Sequence, residues 1–163
     1  MKYCIPLLIS ILMLNVGWSQ NGIDKTLKRY NSLSVPYISV EELDQIKEEL
    51  LLDTREKDEY DVSHLKDAIW VGYKDFNITE FMAEHPDKKQ FIVVYCSVGV
   101  RSENIGEKLL KKGYNNVKNL YGGIFQWTNL GFPVYDTLGN KTLRVHAYGK
   151  EWSSLLTKAV KVY

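Results

Sequence analysis

The amino-acid sequence predicts an α/β domain with a mostly parallel central sheet flanked by helices on both faces. Three observations point there. Short apolar runs of strand length recur as "LLLDT", "AIWVGY", "FIVVYC" and, more weakly, "VKNLY". Helical patterns lie between them, and strands alternating with helices favour parallel pairing. The stretch that carries them, residues 37–135, suits one compact domain of ordinary size.

The elements follow in order. The chain opens "MKYCIPLLISILMLNVGWSQNG". Lys2 supplies a positive start, Ile5 to Val16 is almost wholly apolar but too short to span a bilayer, and Gly17 and Ser19 fit a cleavage site. Residues 1–19 therefore read as a signal peptide, and the mature protein is expected outside the cytoplasm, periplasmic or secreted. Cys4 lies before the apolar run, where it does not suit a lipid anchor, and cleavage would remove it. Cys96 would then be the single cysteine, unable to form an internal disulfide. Residues 20–36 are polar and weakly periodic, a linker or loose helix.

"SVEELDQIKEEL" places Val40, Leu43 and Ile46 at helical spacing, with acidic residues in the first turn. "ITEFMAEH" places Ile78, Phe81 and Met82 on one side. "SENIGEKLLKKGY" aligns Ile105, Leu109 and Leu110, pairs Glu107 with Lys111 at i, i+4, and offers Gly113 as the residue after the helix. "YGGIFQWTNLGFPVY" reads as a glycine turn, a short helix and a closing turn. Residues 136–163 form an extension with a Gly-Asn turn and one short helix containing Trp152, Leu155, Leu156 and Val160. The extension either packs on the domain or binds a partner.

Charge excludes some functions. The chain has 21 Lys and Arg against 20 Asp and Glu. No basic excess exists to attract nucleic acid, or an anionic membrane once the signal is removed. The three histidines, His64, His85 and His146, have no metal-ligand spacing, and neither a metal nor another cofactor is expected.

The chemistry concentrates in "VVYCSVGVRSEN", residues 93–104. Cys96 ends a strand whose carboxyl end is where open α/β sheets place ligands. The turn from Ser97 to Arg101 leads into a helix, and Gly99 permits a backbone that points N–H groups inward. Those N–H groups, with the helix's positive end behind them, make an anion cradle. A cysteine there ionises below its free value of about 8.5, and the thiolate is the nucleophile.

The stretch resembles the active-site loop of the rhodanese family, commonly Cys-x-x-Gly-x-Arg-Ser, here Cys96-Ser97-Val98-Gly99-Val100-Arg101-Ser102. "LLDTREKDEYDVSHLKDAIWV" and "NLYGGIFQWTNLGFPV" resemble that family's flanking segments, so the similarity covers residues 37–135. Ser63 and Asp67 stand where the family often has glycines. The resemblance implies a single rhodanese-like domain with Cys96 catalytic and the loop residues Ser97, Val98, Gly99, Val100, Arg101 and Ser102 binding substrate. It implies a sulfurtransferase that takes sulfur from a small anionic donor, such as thiosulfate, and passes it to a thiol, cyanide or a protein acceptor. A non-catalytic partner-binding module and a periplasmic sulfur relay are the alternatives. The Cys-x4-Arg spacing is one residue shorter than that of phosphatases and arsenate reductases on this fold.

Other side chains are assigned to scaffold. His64 is expected to bond near its turn. Arg55 is expected to pair with Glu59 and brace the loop, with substrate binding as its second reading. Arg101 either bonds loop carbonyls or supplies charge to the anion. Trp70 and Trp127 are expected in the core.

Overall fold

The computed structural model describes residues 22–163. The segment read as a signal peptide, residues 1–19 with Cys4, lies outside the described residues. Residues 22–30 form helix α1, with Ile23 and Leu27 buried. Strand β1 (Tyr37–Ile38) leads into α2 (Val40–Asp44), then β2 (Leu50–Asp53), α3 (Lys57–Val62), β3 (Ile69–Trp70), α4 (Ile78–Glu84), β4 (Ile92–Tyr95), α5 (Val100–Lys111), β5 (Val117–Leu120) and α6 (Gly123–Asn129). Strand β6 (Val134–Tyr135) closes the domain, and the extension adds β7 (Lys141–Thr142), β8 (Arg144–His146) and β9 (Val160–Val162). No helix among the described residues is long and apolar enough to cross a membrane.

The central sheet has the order β1-β5-β4-β2-β3, and every pair in it is parallel. Alternation along its strands separates two layers. Ile92 and Val94 of β4 pack with Leu52, Phe81, Ile105, Leu109 and Tyr114. Val93 and Tyr95 point to the other face, among Leu43, Leu51, Ile124, Phe125 and Trp127. Helices therefore cover both faces, as the apolar runs require.

Two helical expectations are shortened. The pattern over 39–50 yields α2 only to Asp44. Ser39 and Glu42 close its capping box, with Glu42 N–H to Ser39 Oγ at 3.1 Å and Ser39 N–H to Glu42 Oε2 at 2.9 Å. The chain must then extend so that Leu50 N–H reaches the Phe91 carbonyl at 2.8 Å and starts β2. In the extension, the expected helix through Trp152 and Val160 is a single 3-10 turn, Ser153–Leu155. Val160 leaves it to pair in β9, parallel to β8.

That extension packs on the domain. Val145, Ala147 and Leu156 are fully buried in the layer of Val93 and Tyr95. Asn129 in α6 anchors it: its Nδ2 donates to the Leu155 carbonyl at 2.7 Å, and its Oδ1 accepts the Thr157 N–H at 2.7 Å. Asp67, where a glycine is common in the family resembled, keeps a left-handed φ of 60°. Aspartate tolerates that region better than most residues. Ser63 is extended, at φ −172°, and needs no glycine.

Candidate active site

Cys96 directly follows β4, at the carboxyl edge of the sheet's central strand. The next residues turn sharply into α5, and Gly99 makes the turn at φ 112°. A side chain would be strained there, because a Cβ would sit 3.2 Å from Leu27 Cδ2 in a backbone region that L-residues rarely adopt.

The loop's carbonyls are held outward. The Cys96 carbonyl accepts from Ile124 N–H at 3.0 Å, and that of Ser97 from Phe125 N–H at 3.1 Å. The start of α6 lies so close that a Cβ on Gly123 would fall 2.2 Å from the Cys96 oxygen. The Gly99 carbonyl accepts from Asn119 Nδ2 at 2.8 Å and Asn31 Nδ2 at 2.9 Å. With those oxygens engaged, the Gly99 N–H turns inward and donates to Cys96 Sγ at 3.1 Å. One N–H of the expected cradle thus meets the sulfur, which sits at the positive end of α5.

The electrostatics follow. Cys96 is 1% exposed. Burial pushes its thiol pKa up, but the Arg101 charge and the backbone N–H groups of Ser102 and Gly99 outweigh it. The thiol is held below its ordinary value.

Arg101 does not bond loop carbonyls as one sequence reading had it. It grips Glu59 with both ends of its fork, Nη1 to Oε2 at 2.6 Å and Nη2 to Oε1 at 2.8 Å, and reaches Ser97 Oγ at 3.0 Å. Ser97 Oγ donates to Glu59 Oε1 at 3.0 Å, closing a triangle under the loop. Burial raises the Glu59 pKa, but the Arg101 fork, the Arg55 charge and the Glu56 N–H together more than reverse this, so the carboxyl lies below its ordinary range.

The expected Arg55–Glu59 pair does not form. Arg55 Nη2 bonds Asp53 Oδ2 at 2.6 Å and the Ser63 carbonyl at 2.6 Å, while its Nε also meets Asp53. Tyr95 OH donates to the same Asp53 Oδ2 at 2.6 Å. Arg55 is fully buried and is not among the residues lining the Cys96 cavity, the arrangement a bracing role requires. His64 stacks on Tyr60 with ring centroids 4.0 Å apart and places Nδ1 3.1 Å from the Tyr60 carbonyl, a local role in its turn. Trp127 is buried in the core, and the half-buried Trp70 donates Nε1–H to the Arg55 carbonyl at 2.9 Å. Among the described residues, no cluster of His, Cys, Asp and Glu has the arrangement of a metal site.

A cavity of about 110 Å³ opens at the sulfur, lined by Cys96, Ser97, Val98, Val100, Arg101, Tyr148 and Trp152. Of the residues assigned to substrate binding, Gly99 and Ser102 stand behind the sulfur rather than in the lining. Glu59, Asn119, Tyr148 and Trp152 were missed as site residues. Glu59 was assigned the wrong arginine. Tyr148 and Trp152 belong to an extension without a clear pattern, and only their aromatic character in a polar tail marked them out.

A model of the rhodanese-like domain matches residues 39–130, more than half of the chain. The chain belongs to the rhodanese-like family. A protein of Streptococcus thermophilus named tRNA uridine(34) hydroxylase is 32% identical over 120 residues, covering 69% of this chain and 36% of that one. Its Streptococcus pneumoniae counterpart is 29% identical over 118 residues, with the same coverage. The chain thus spans about a third of the length of these curated relatives. Among solved structures, thiosulfate sulfurtransferase from Pseudomonas aeruginosa superposes with a TM-score of 0.57 at 26% identity, covering 86% of this chain and 26% of that one. A rhodanese-like domain from Anabaena, at 20% identity and a TM-score of 0.56, covers 63% of this chain and 80% of its own, and shares the fold. The rhodanese-like domain places this protein in a sulfurtransferase-type family.

Proposed function

We propose that this chain is a sulfurtransferase that moves a sulfane sulfur from thiosulfate or a related donor to a thiophilic acceptor through a persulfide on Cys96. The observation that carries the reading is the thiol's setting: Sγ accepts the Gly99 N–H at 3.1 Å, beside Arg101 and at the start of α5. In the first half-reaction the Cys96 thiolate attacks the outer sulfur of the donor. The new S–S bond forms as the donor's own S–S bond breaks, and sulfite leaves with the electron pair. The persulfide that remains carries one negative charge, which the inward N–H groups and the helix end accommodate. In the second half-reaction a thiol, cyanide or a protein thiol attacks the outer sulfur, and the Cys96 thiolate is released. No metal or organic cofactor enters either step.

Support comes from the family, from the loop geometry and from the depressed thiol. The hydroxylase activity in the names of the streptococcal relatives stays with those proteins, of which this chain spans 36%. The test is steady-state sulfur transfer from thiosulfate to cyanide. Parallel double-reciprocal lines are expected, the pattern of a covalent ping-pong intermediate, together with complete loss in Cys96→Ser. Turnover that persists in Cys96→Ser would contradict the reading. We also propose that the protein acts outside the cytoplasm after removal of residues 1–19. N-terminal sequencing of exported protein should begin near Gln20, and uncleaved soluble protein confined to the cytoplasm would refute this.

A further inference from the structure

Tyr148 and Trp152 lie beyond the residues that the family model matches, yet they form one side of the Cys96 cavity. Their placement is built in rather than incidental. Tyr148 adopts φ 63°, a left-handed conformation that a tyrosine holds only when its surroundings impose it. Its N–H donates to His146 Nδ1 at 3.1 Å, and β8 before it pairs with β9. The Trp152 ring packs on Tyr148 at 6.3 Å and on Tyr30 of α1 at 5.8 Å. The segment therefore carries two aromatic rings to the mouth of the site and fixes them there.

The rings change what the cavity offers. Val98, Val100, Tyr148 and Trp152 present mainly carbon to it. Arg101 is the cation in the lining, and its charge is already met by Glu59 through both ends of the fork. The Tyr148 ring covers its face, with Cζ 4.5 Å from the ring centroid. A donor entering this space must shed water. One negative charge on the sulfane sulfur finds the cradle, but a second on the distant sulfonate oxygens finds apolar walls and an arginine whose fork is already bound to Glu59.

We infer that Tyr148 and Trp152 are specificity-determining residues, forming an apolar wall that selects donors whose sulfane sulfur is carried by a small organic group, the alkyl thiosulfonates, over dianionic thiosulfate. The inference rests on the persulfide chemistry proposed above. The step balances without another reactant. The Cys96 thiolate attacks the sulfane sulfur of an alkyl thiosulfonate, the bond to the sulfonyl sulfur breaks, and an alkyl sulfinate leaves with the electron pair.

Methanethiosulfonate and thiosulfate make a matched pair, because a methyl group replaces one anionic oxygen. The measurement is the ratio of their kcat/KM values, followed by persulfide formation on Cys96 in the full chain. Intrinsic donor reactivity is common to all variants, so a change in the ratio reports the wall. Tyr148→Gly removes one ring and relaxes the left-handed backbone, and Trp152→Gln puts polar atoms where the second ring stood. Each is expected to lower the methanethiosulfonate preference by about tenfold or more, the discrimination that a methylene-sized apolar contact provides. Loading by both donors with a ratio unchanged in both variants would overturn the wall while leaving the persulfide reading intact. Loading by neither donor would overturn both.

Discussion

Two arginine–carboxylate pairs flank the ends of the central strands, and they differ in what surrounds them. Arg55–Asp53 is sealed, with both side chains 0% exposed. Arg101–Glu59 is 13% and 2% exposed and borders the Cys96 cavity. Asp53 is held by the Arg55 fork, the Arg55 N–H and the Tyr95 hydroxyl, and Arg55 reaches on to the Ser63 carbonyl, so that network ties β2, β4 and the turn after α3 together. In the second pair the fork grips Glu59, while one face of the guanidinium lies under Tyr148 and its charge lowers the neighbouring thiol. The same chemical pair is scaffold where all its bonds point inward, and becomes part of a site where one side is left to a cavity.

The difference predicts opposite phenotypes. The largest effect on stability is expected from Arg55→Ala, which leaves Asp53 charged and buried without its partner. Such truncations cost about 3–5 kcal/mol, and urea denaturation should show it. A loss below about 1 kcal/mol would mean that the buried network does not hold the strands together. Arg101→Ala should destabilise less, by about 1.5–3 kcal/mol for the lost charged hydrogen bonds, since water can reach the gap. Its main effect should be on sulfur transfer. Arg101→Lys should be nearly as inactive as the alanine variant, because an ammonium cannot reproduce a grip on both Glu59 oxygens and Ser97 Oγ. A lysine variant close to wild type in kcat/KM would show that charge alone suffices.

The pH dependence sharpens the contrast. Cys96 is depressed in the folded protein, so thiolate reactivity should be full above its folded pKa and fall as pH drops through it. Alkylation by iodoacetamide against pH should give a midpoint below about 8.5, and Arg101→Ala should move it upward. Glu59 is also depressed. Its contribution to stability is complete above its unfolded value of about 4.3 and is lost as pH falls through the lower folded value. Glu59→Gln should remove that acid-range dependence from thermal melts. The smallest effect marks the lower bound. Lys111 meets Glu107 at 3.7 Å on the exposed side of α5, and Lys111→Ala should cost no more than about 0.5 kcal/mol.

Much of this was legible in the sequence, for reasons that differ between regions. Buried strands such as Ile92–Tyr95 announce themselves because both faces are covered, and α5 does so through Ile105 and Leu109 on one face. The cysteine loop was readable because Gly99, Arg101 and a strand-to-helix junction constrain one another locally. The choice between Arg55 and Arg101 as the partner of Glu59 was not, since it depends on how α3 docks against a loop 42 residues away. The extension was least legible. Its strands are two or three residues long, its buried positions are scattered, and the contacts with α1 and α6 that help to hold Tyr148 and Trp152 at the site leave no periodic trace.

The central claim is that Cys96 carries the transferred sulfur, and intact-mass and peptide mass spectrometry after incubation with thiosulfate tests it most directly. The account predicts a gain of about 32 Da, one sulfur bonded to the nucleophile, on the peptide containing Cys96, its discharge on adding cyanide, and no gain in Cys96→Ser. An unmodified Cys96, or a sulfur found on any other residue, would contradict it.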